Sequence, residues 1–219
     1  MYKAPFWYRL WACLALSVCA MTLPLQKAVC QTDDVADKKP VPPLVATPSG
    51  YAHWRIVLTP LAPPMAGKLD PVISEMDFTK SPSMASKVNT WSDGKSSEDW
   101  IVEGYFLSTT PNRPDVYLSP MKMRPSGFGN DFNAVYPGFA WLDLKYYKDI
   151  VRVDGKKCYH YVDDLARQGW IEVDTKLPVR YSNGSTSGTY EFLAPPTSQL
   201  KMPDKFSLLL ENYKKASAR

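Results

Sequence analysis

From Gly50 onward, apolar and polar positions alternate with a period of two. In YAHWRIVL, Ala52, Trp54, Ile56 and Leu58 interleave with Tyr51, His53, Arg55 and Val57, the pattern of a half-buried strand. Pro60, Pro63 and Pro64 end it. A weaker strand at residues 75–79 precedes MASKVNTW, a turn at SDGK, the run EDWIVEGYFL and the short strand DVYLSP. Asp93-Gly94 between two such runs predicts a hairpin, because both central residues of a tight turn need positive φ. The arrangement recurs in DIVRVDGKKCYHYV, with Asp154-Gly155 at the tip. GWIEVD and LPVRYS follow, joined by a turn at 175–176, and GTYEFLAPP comes after the loop NGSTSG. About nine strands joined by hairpin-type turns predict a mainly β fold, an antiparallel meander.

Helix is scarce. In DKFSLLLENYKKA, Phe206, Leu209, Leu210 and Tyr213 follow the spacing of one helical face, with Asp204 as the expected cap. Lys214 and Lys215 stand at the favourable C-terminal end. Residues 125–145, aromatic and glycine-rich without a clear period, read as a long excursion holding at most one helical turn.

The first thirty residues follow another rule. Lys3 and Arg9 precede a mostly apolar run at 10–25, and Ala28 and Cys30 stand where a signal peptidase reads small residues. That order predicts a cleaved signal peptide over 1–30, hence a periplasmic or otherwise exported protein. Retention of the run as a membrane anchor is the alternative. Cleavage removes Lys3, Arg9 and Lys27, which takes the formal charge from +4 to +1, so the pI of 8.7 implies no basic surface for nucleic acid. Cys13, Cys19 and Cys30 leave with it, and Cys158 alone remains, so stability must come from the core rather than from disulfides. Residues 31–49, with four prolines and no apolar period, read as a disordered or extended tether. A single domain over 50–215 completes the organisation.

CYHYVDD at 158–164 gathers Cys158, His160, Asp163 and Asp164. A two-residue turn at Asp154-Gly155 sets Val153 opposite Lys156 and Val151 opposite Cys158. Cys158 and His160 then share a face, at about 6.5 Å between α-carbons. A nucleophile would need a depressed thiol pKa, and a metal would need more ligands than His53 can add. The expectation is a buried cysteine beside a structural histidine: no enzyme, no metal and no cofactor. Asn183-Gly184-Ser185 matches a glycosylation sequon but reads equally as turn chemistry.

Aromatic residues on both faces of the strands carry more information. A strand of that kind is covered on both sides, by a second layer or by a ligand. The two readings kept are a module with a filled core and a concavity for an apolar ligand lined by Trp54, Trp100, Tyr159, Trp170 and Phe192.

Three stretches carry a resemblance. WSDGKSSEDWIVEGYFL, VDGKKCYHYV and GWIEVDTKLPVRYSNG followed by YEFLAPPTSQLKMPDKF resemble the periplasmic lipoprotein carriers of the LolA/LolB-like type, over roughly residues 50–210. The resemblance implies an open half-barrel, helices plugging its concave side, and an acyl chain of a lipid or lipoprotein held between them. The partners expected of the chain are therefore an acyl-chain lipid or lipoprotein, an envelope protein, or the periphery of a membrane.

Overall fold

The computed structural model describes residues 38–61, 70–111, 113–123 and 132–218. The leader predicted over 1–30 lies outside them. Among these described residues there are eleven strands and one α-helix. The first half holds β1 (Ala52–Pro60), β2 (Ile73–Ser81), β3 (Met84–Trp91), β4 (Ser96–Val102), β5 (Tyr105–Thr110) and β6 (Arg113–Pro120). The second holds β7 (Tyr147–Val153), β8 (Lys156–Val162), β9 (Gln168–Glu172), β10 (Pro178–Ser182) and β11 (Thr186–Phe192), and α1 (Asp204–Ser217) follows. Short 3-10 turns occupy Met121–Met123 and Leu144–Tyr146.

All strand pairs are antiparallel, in one sheet of order β6-β5-β4-β3-β2-β1-β11-β10-β9-β8-β7. The sheet is open, with β6 and β7 at its two edges. The meander expected from the sequence is therefore present, with one non-sequential neighbour: β1 pairs with β11 in the middle, from Trp54 opposite Phe192 to Pro60 opposite Thr186.

Turn chemistry places most strand ends. Asp154 (φ 50°) and Gly155 (φ 81°) form the expected tight turn, with Val153 opposite Lys156 and Val151 opposite Cys158. Glu103 (φ 50°) and Gly104 (φ 77°) make a second turn of this kind and divide EDWIVEGYFL, expected as one strand, into β4 and β5. At Asp93-Gly94 only the glycine has positive φ, and the wider turn closes through Trp91 N–H to the Lys95 carbonyl at 2.8 Å.

The register sorts side chains onto two faces. One face carries Ile56 and Trp54 of β1, Met76 and Phe78 of β2, Ile101 of β4, Tyr190 and Phe192 of β11, Tyr181 of β10, and Tyr159 and Tyr161 of β8. The chain between β6 and β7 must pass from one edge of the sheet to the other. Its 26 residues (121–146) reach about 85 Å when extended, against about 48 Å for ten strand spacings. Its described part from Phe132 to Trp141 covers this aromatic face. Phe132 packs on Phe78, Tyr136 on Trp54, Tyr190 and Phe192, and Phe139 on Tyr181 and Tyr190.

The second face carries its own apolar cluster at the β4–β6 end. There Trp100, Val102, Leu107 and Leu118 receive Phe206 and Leu210 of α1. The helix therefore lies on the face away from the aromatic cluster, whereas the resemblance implied helices on the ligand side. Pro203 caps it without a side-chain bond, so Asp204 sits in the first turn rather than capping, as the sequence had suggested. Residues 38–49 contain neither helix nor strand. Even so, Pro40 is buried, Leu44, Val45 and Ala46 pack against the aromatic cluster, and Ala46 N–H donates to the Lys176 carbonyl at 2.8 Å. This part of the expected tether is docked rather than loose.

Candidate functional site

A cleft of about 370 Å³ remains between the aromatic face and its cover. Met76, Phe78 and Lys87 form its floor on β2 and β3, Tyr181, Ser182 and Asn183 one wall, and Phe132, Pro137, Gly138, Ala140 and Trp141 the cover. Two glycines set how closely cover and sheet approach. A Cβ on Gly138, at φ +86°, would lie 2.6 Å from the Tyr181 ring, and one on Gly169 would lie 3.0 Å from Phe139. Trp141 Nε1–H donates to the Gly138 carbonyl at 2.7 Å, which fixes the cover's bend.

Two cations reach the cleft, each with its own anion. Lys87 Nζ stands 2.6 Å from Asp99 Oδ2 and 5.7 Å from the centre of the Phe132 ring. Arg167 pairs with Asp163 at 2.6 Å and lies 5.3 Å over Trp141. Burial pushes the Asp163 carboxyl up. The Arg167 guanidinium and the amides of Arg167 and Leu165 outweigh that and hold it below the usual range.

None of the five residues expected to line a ligand site lines this cleft. Trp54, Tyr159 and Phe192 do lie on the aromatic face, but Trp54 is sealed between Phe78 and Tyr136, and Lys176 covers Tyr159 at 4.1 Å. Phe192 is 39% exposed at the rim of that face. Trp100 and Trp170 point to the second face, Trp100 under α1 and Trp170 flat against His160 with ring centroids 5.2 Å apart. Alternation within each strand identified aromatic positions, but the faces became comparable only once the strands were in register. The lining residues Met76, Phe78 and Tyr181 carried the same alternation signal. Those of the cover carried none.

CYHYVDD separates into unrelated roles. Cys158 is fully buried, and burial, with Glu172 beside it, pushes its thiol pKa up, the opposite of an activated nucleophile. His160 shares its face, but its ring nitrogens meet Asp149 Oδ1 at 3.0 Å and Gln168 Oε1 at 3.2 Å instead of the thiol. His53 pairs with Asp77 Oδ1 at 2.9 Å and with the Ala194 carbonyl at 3.3 Å. Among the described residues no group of three His, Cys, Asp or Glu side chains converges as metal ligands, and no helix is long and apolar enough to cross a membrane. In the expected sequon, Asn183 Oδ1 instead accepts from Ser185 N–H and Thr186 N–H, as turn chemistry requires.

No family model and no curated protein matches the chain. Among solved structures, it is similar to the Mycobacterium tuberculosis lipoprotein LppX, at 14% identity over 69% of this chain and 89% of that one, with a TM-score of 0.37.

Proposed function

We propose that this chain is an exported, non-enzymatic binding protein of the cell envelope that holds an apolar ligand of acyl-chain type in the cleft under its own cover. The observation that carries the reading is the cleft itself: some 370 Å³ with Met76 and Phe78 on its floor, between a sheet and a segment that belongs to neither edge. That volume is at the low end for small-molecule sites, which range from about 300 to 1,000 Å³, and suits one chain rather than several. Each buried methylene contributes about 0.8 kcal/mol, so a ten-carbon chain gains about 8 kcal/mol before the costs of association. The export rests on the charged, apolar and small-residue order of the N-terminus.

An acyl probe carrying pyrene tests this. Uptake at micromolar concentration, with energy transfer from Trp141 in the cover, is expected. Ala140→Trp, which fills the cleft from an exposed cover position, should abolish it. Absence of uptake by the delipidated protein sinks the reading.

The second reading is an envelope interaction module with a filled core. The insertion of Tyr136 and Phe139 into the aromatic face favours it, because these rings occupy space a larger ligand would need. A cleft that stays empty in the uptake experiment would select this reading.

A further inference from the structure

Beside the cleft, the aromatic face turns polar. Register places Lys87 next to Phe78 and Asn89 next to Met76, both pairs spanning β2 and β3. Across β3 and β4, Lys87 faces Asp99 and Asn89 faces Ser97, and Asp99 in turn faces Ser108 on β5. Of these side chains Lys87 lines the cleft itself, and Asn89, Ser97, Asp99 and Ser108 continue from it as a strip on the same face behind the cleft's own lining. Asn89, Ser97 and Asp99 are only 5–7% exposed. Their mutual bonds are Ser108 Oγ–H to Asp99 Oδ1 at 2.6 Å, Lys87 Nζ to Asp99 Oδ2 at 2.6 Å, and Asn89 Nδ2–H to Ser97 Oγ at 3.0 Å. One group is left over: Asn89 Oδ1 is buried and has no partner. A buried acceptor without a donor is uncommon and calls for an explanation.

We infer that this strip is the polar subsite of the cleft and takes the uncharged, hydroxyl-bearing end of an amphiphile whose apolar part lies on Met76 and Phe78. The inference rests on the binding reading above and adds the class of head group. Asn89 Oδ1 accepts from a ligand hydroxyl. Lys87, which spends one of its three donors on Asp99, donates another to a ligand carbonyl oxygen.

Charge decides between a neutral and an anionic head. Lys87 is balanced by Asp99 and Arg167 by Asp163, so the two cations of the lining bring no net charge. Lys80, one residue pair along β2 from Phe78, is already held by the carbonyl and side-chain oxygens of Asn133. A carboxylate or phosphate in the strip would lose its hydration beside Asp99, where Lys87, the cation of the strip itself, is already paired. An ester with free hydroxyls brings a carbonyl acceptor for Lys87 and a hydroxyl donor for Asn89 Oδ1.

The test compares 1-decanoylglycerol with decanoate, both below their micelle-forming concentrations, titrated calorimetrically at neutral pH into the full-length chain. Decanoylglycerol should bind at least about tenfold more tightly. Asp99→Asn keeps the shape and leaves Lys87 unbalanced, so the ratio should move by about tenfold toward decanoate. Asn89→Ala should weaken decanoylglycerol by about fivefold and leave decanoate unchanged, which decides the matter even if the Asp99 variant does not fold. Equal affinity of the wild type for both compounds, or an Asn89→Ala effect that is equal for both, overturns the subsite while leaving the binding reading intact. If neither compound binds, the binding reading itself falls and the subsite with it.

Discussion

Gly188 has no side chain, and Tyr181 uses the space. A Cβ built at Gly188 stands 2.3 Å from Tyr181 Cε1 and 3.0 Å from Ile56 Cγ2. The tyrosine ring lies flat over the neighbouring strand because the residue opposite it, by register, is a glycine. From there it supports Phe139 and Tyr190, with ring centroids 6.1 and 6.3 Å away. Gly188→Ala should therefore cost about 2 kcal/mol by forcing Tyr181 out of its place, read as a lower urea midpoint with an unchanged slope. An unchanged midpoint would mean that the cover does not depend on Tyr181. Nothing in the sequence around Gly188 shows this. A glycine in a strand signals a close approach, but which ring approaches depends on a strand six to eight residues earlier.

At the scale of elements, α1 and the cover divide the two faces between them. Phe206 is fully buried against Trp100 and its neighbours, and Leu210 extends the same contact. Phe206→Ala should destabilise the protein by about 3 kcal/mol and loosen the β4–β6 end first, seen as faster amide exchange there than in β8 and β9. Uniform loss of protection would show the helix to be part of a single cooperative unit. These elements were unequally legible in the sequence. Period-two alternation and the Asp-Gly pairs gave the strands, the hairpin at Asp154-Gly155 and its cross-strand partners. The Glu103-Gly104 turn escaped because glutamate is an uncommon residue at positive φ, so an apolar run appeared to continue across it. The helix was legible from Phe206 to Tyr213, but not the face it covers, since an amphipathic stripe does not name its partner. The cover was legible only as a lack of period, because its rings answer to sheet positions far away in sequence. The cover residues of the cleft were missed for that reason.

For the molecule as a whole, the buried phenols set a boundary on the alkaline side. Burial raises the pKa of Tyr136, Tyr161, Tyr181 and Tyr190 above the ordinary value of 10.0, and for Tyr161 and Tyr190 the neighbouring phenols add to it. Below that value both folded and unfolded chains keep these protons, and stability does not depend on them. Above it the unfolded chain releases protons that the folded chain retains, so stability falls as pH rises. Phenolate absorbance should lag behind that of an unfolded control up to the point of unfolding and then rise in one cooperative step. A smooth rise that tracks the control would mean that the cover opens readily and lets solvent reach the rings.

Because β1 and β11 meet in the middle of the sheet, the first ribbon to emerge during synthesis waits for the last. Until residue 192 is available, the left flank of β1 has no mate and the two half-sheets cannot be stitched together. The seam at the centre of the sheet is thus the one that the chain can close only once nearly all of it has been made.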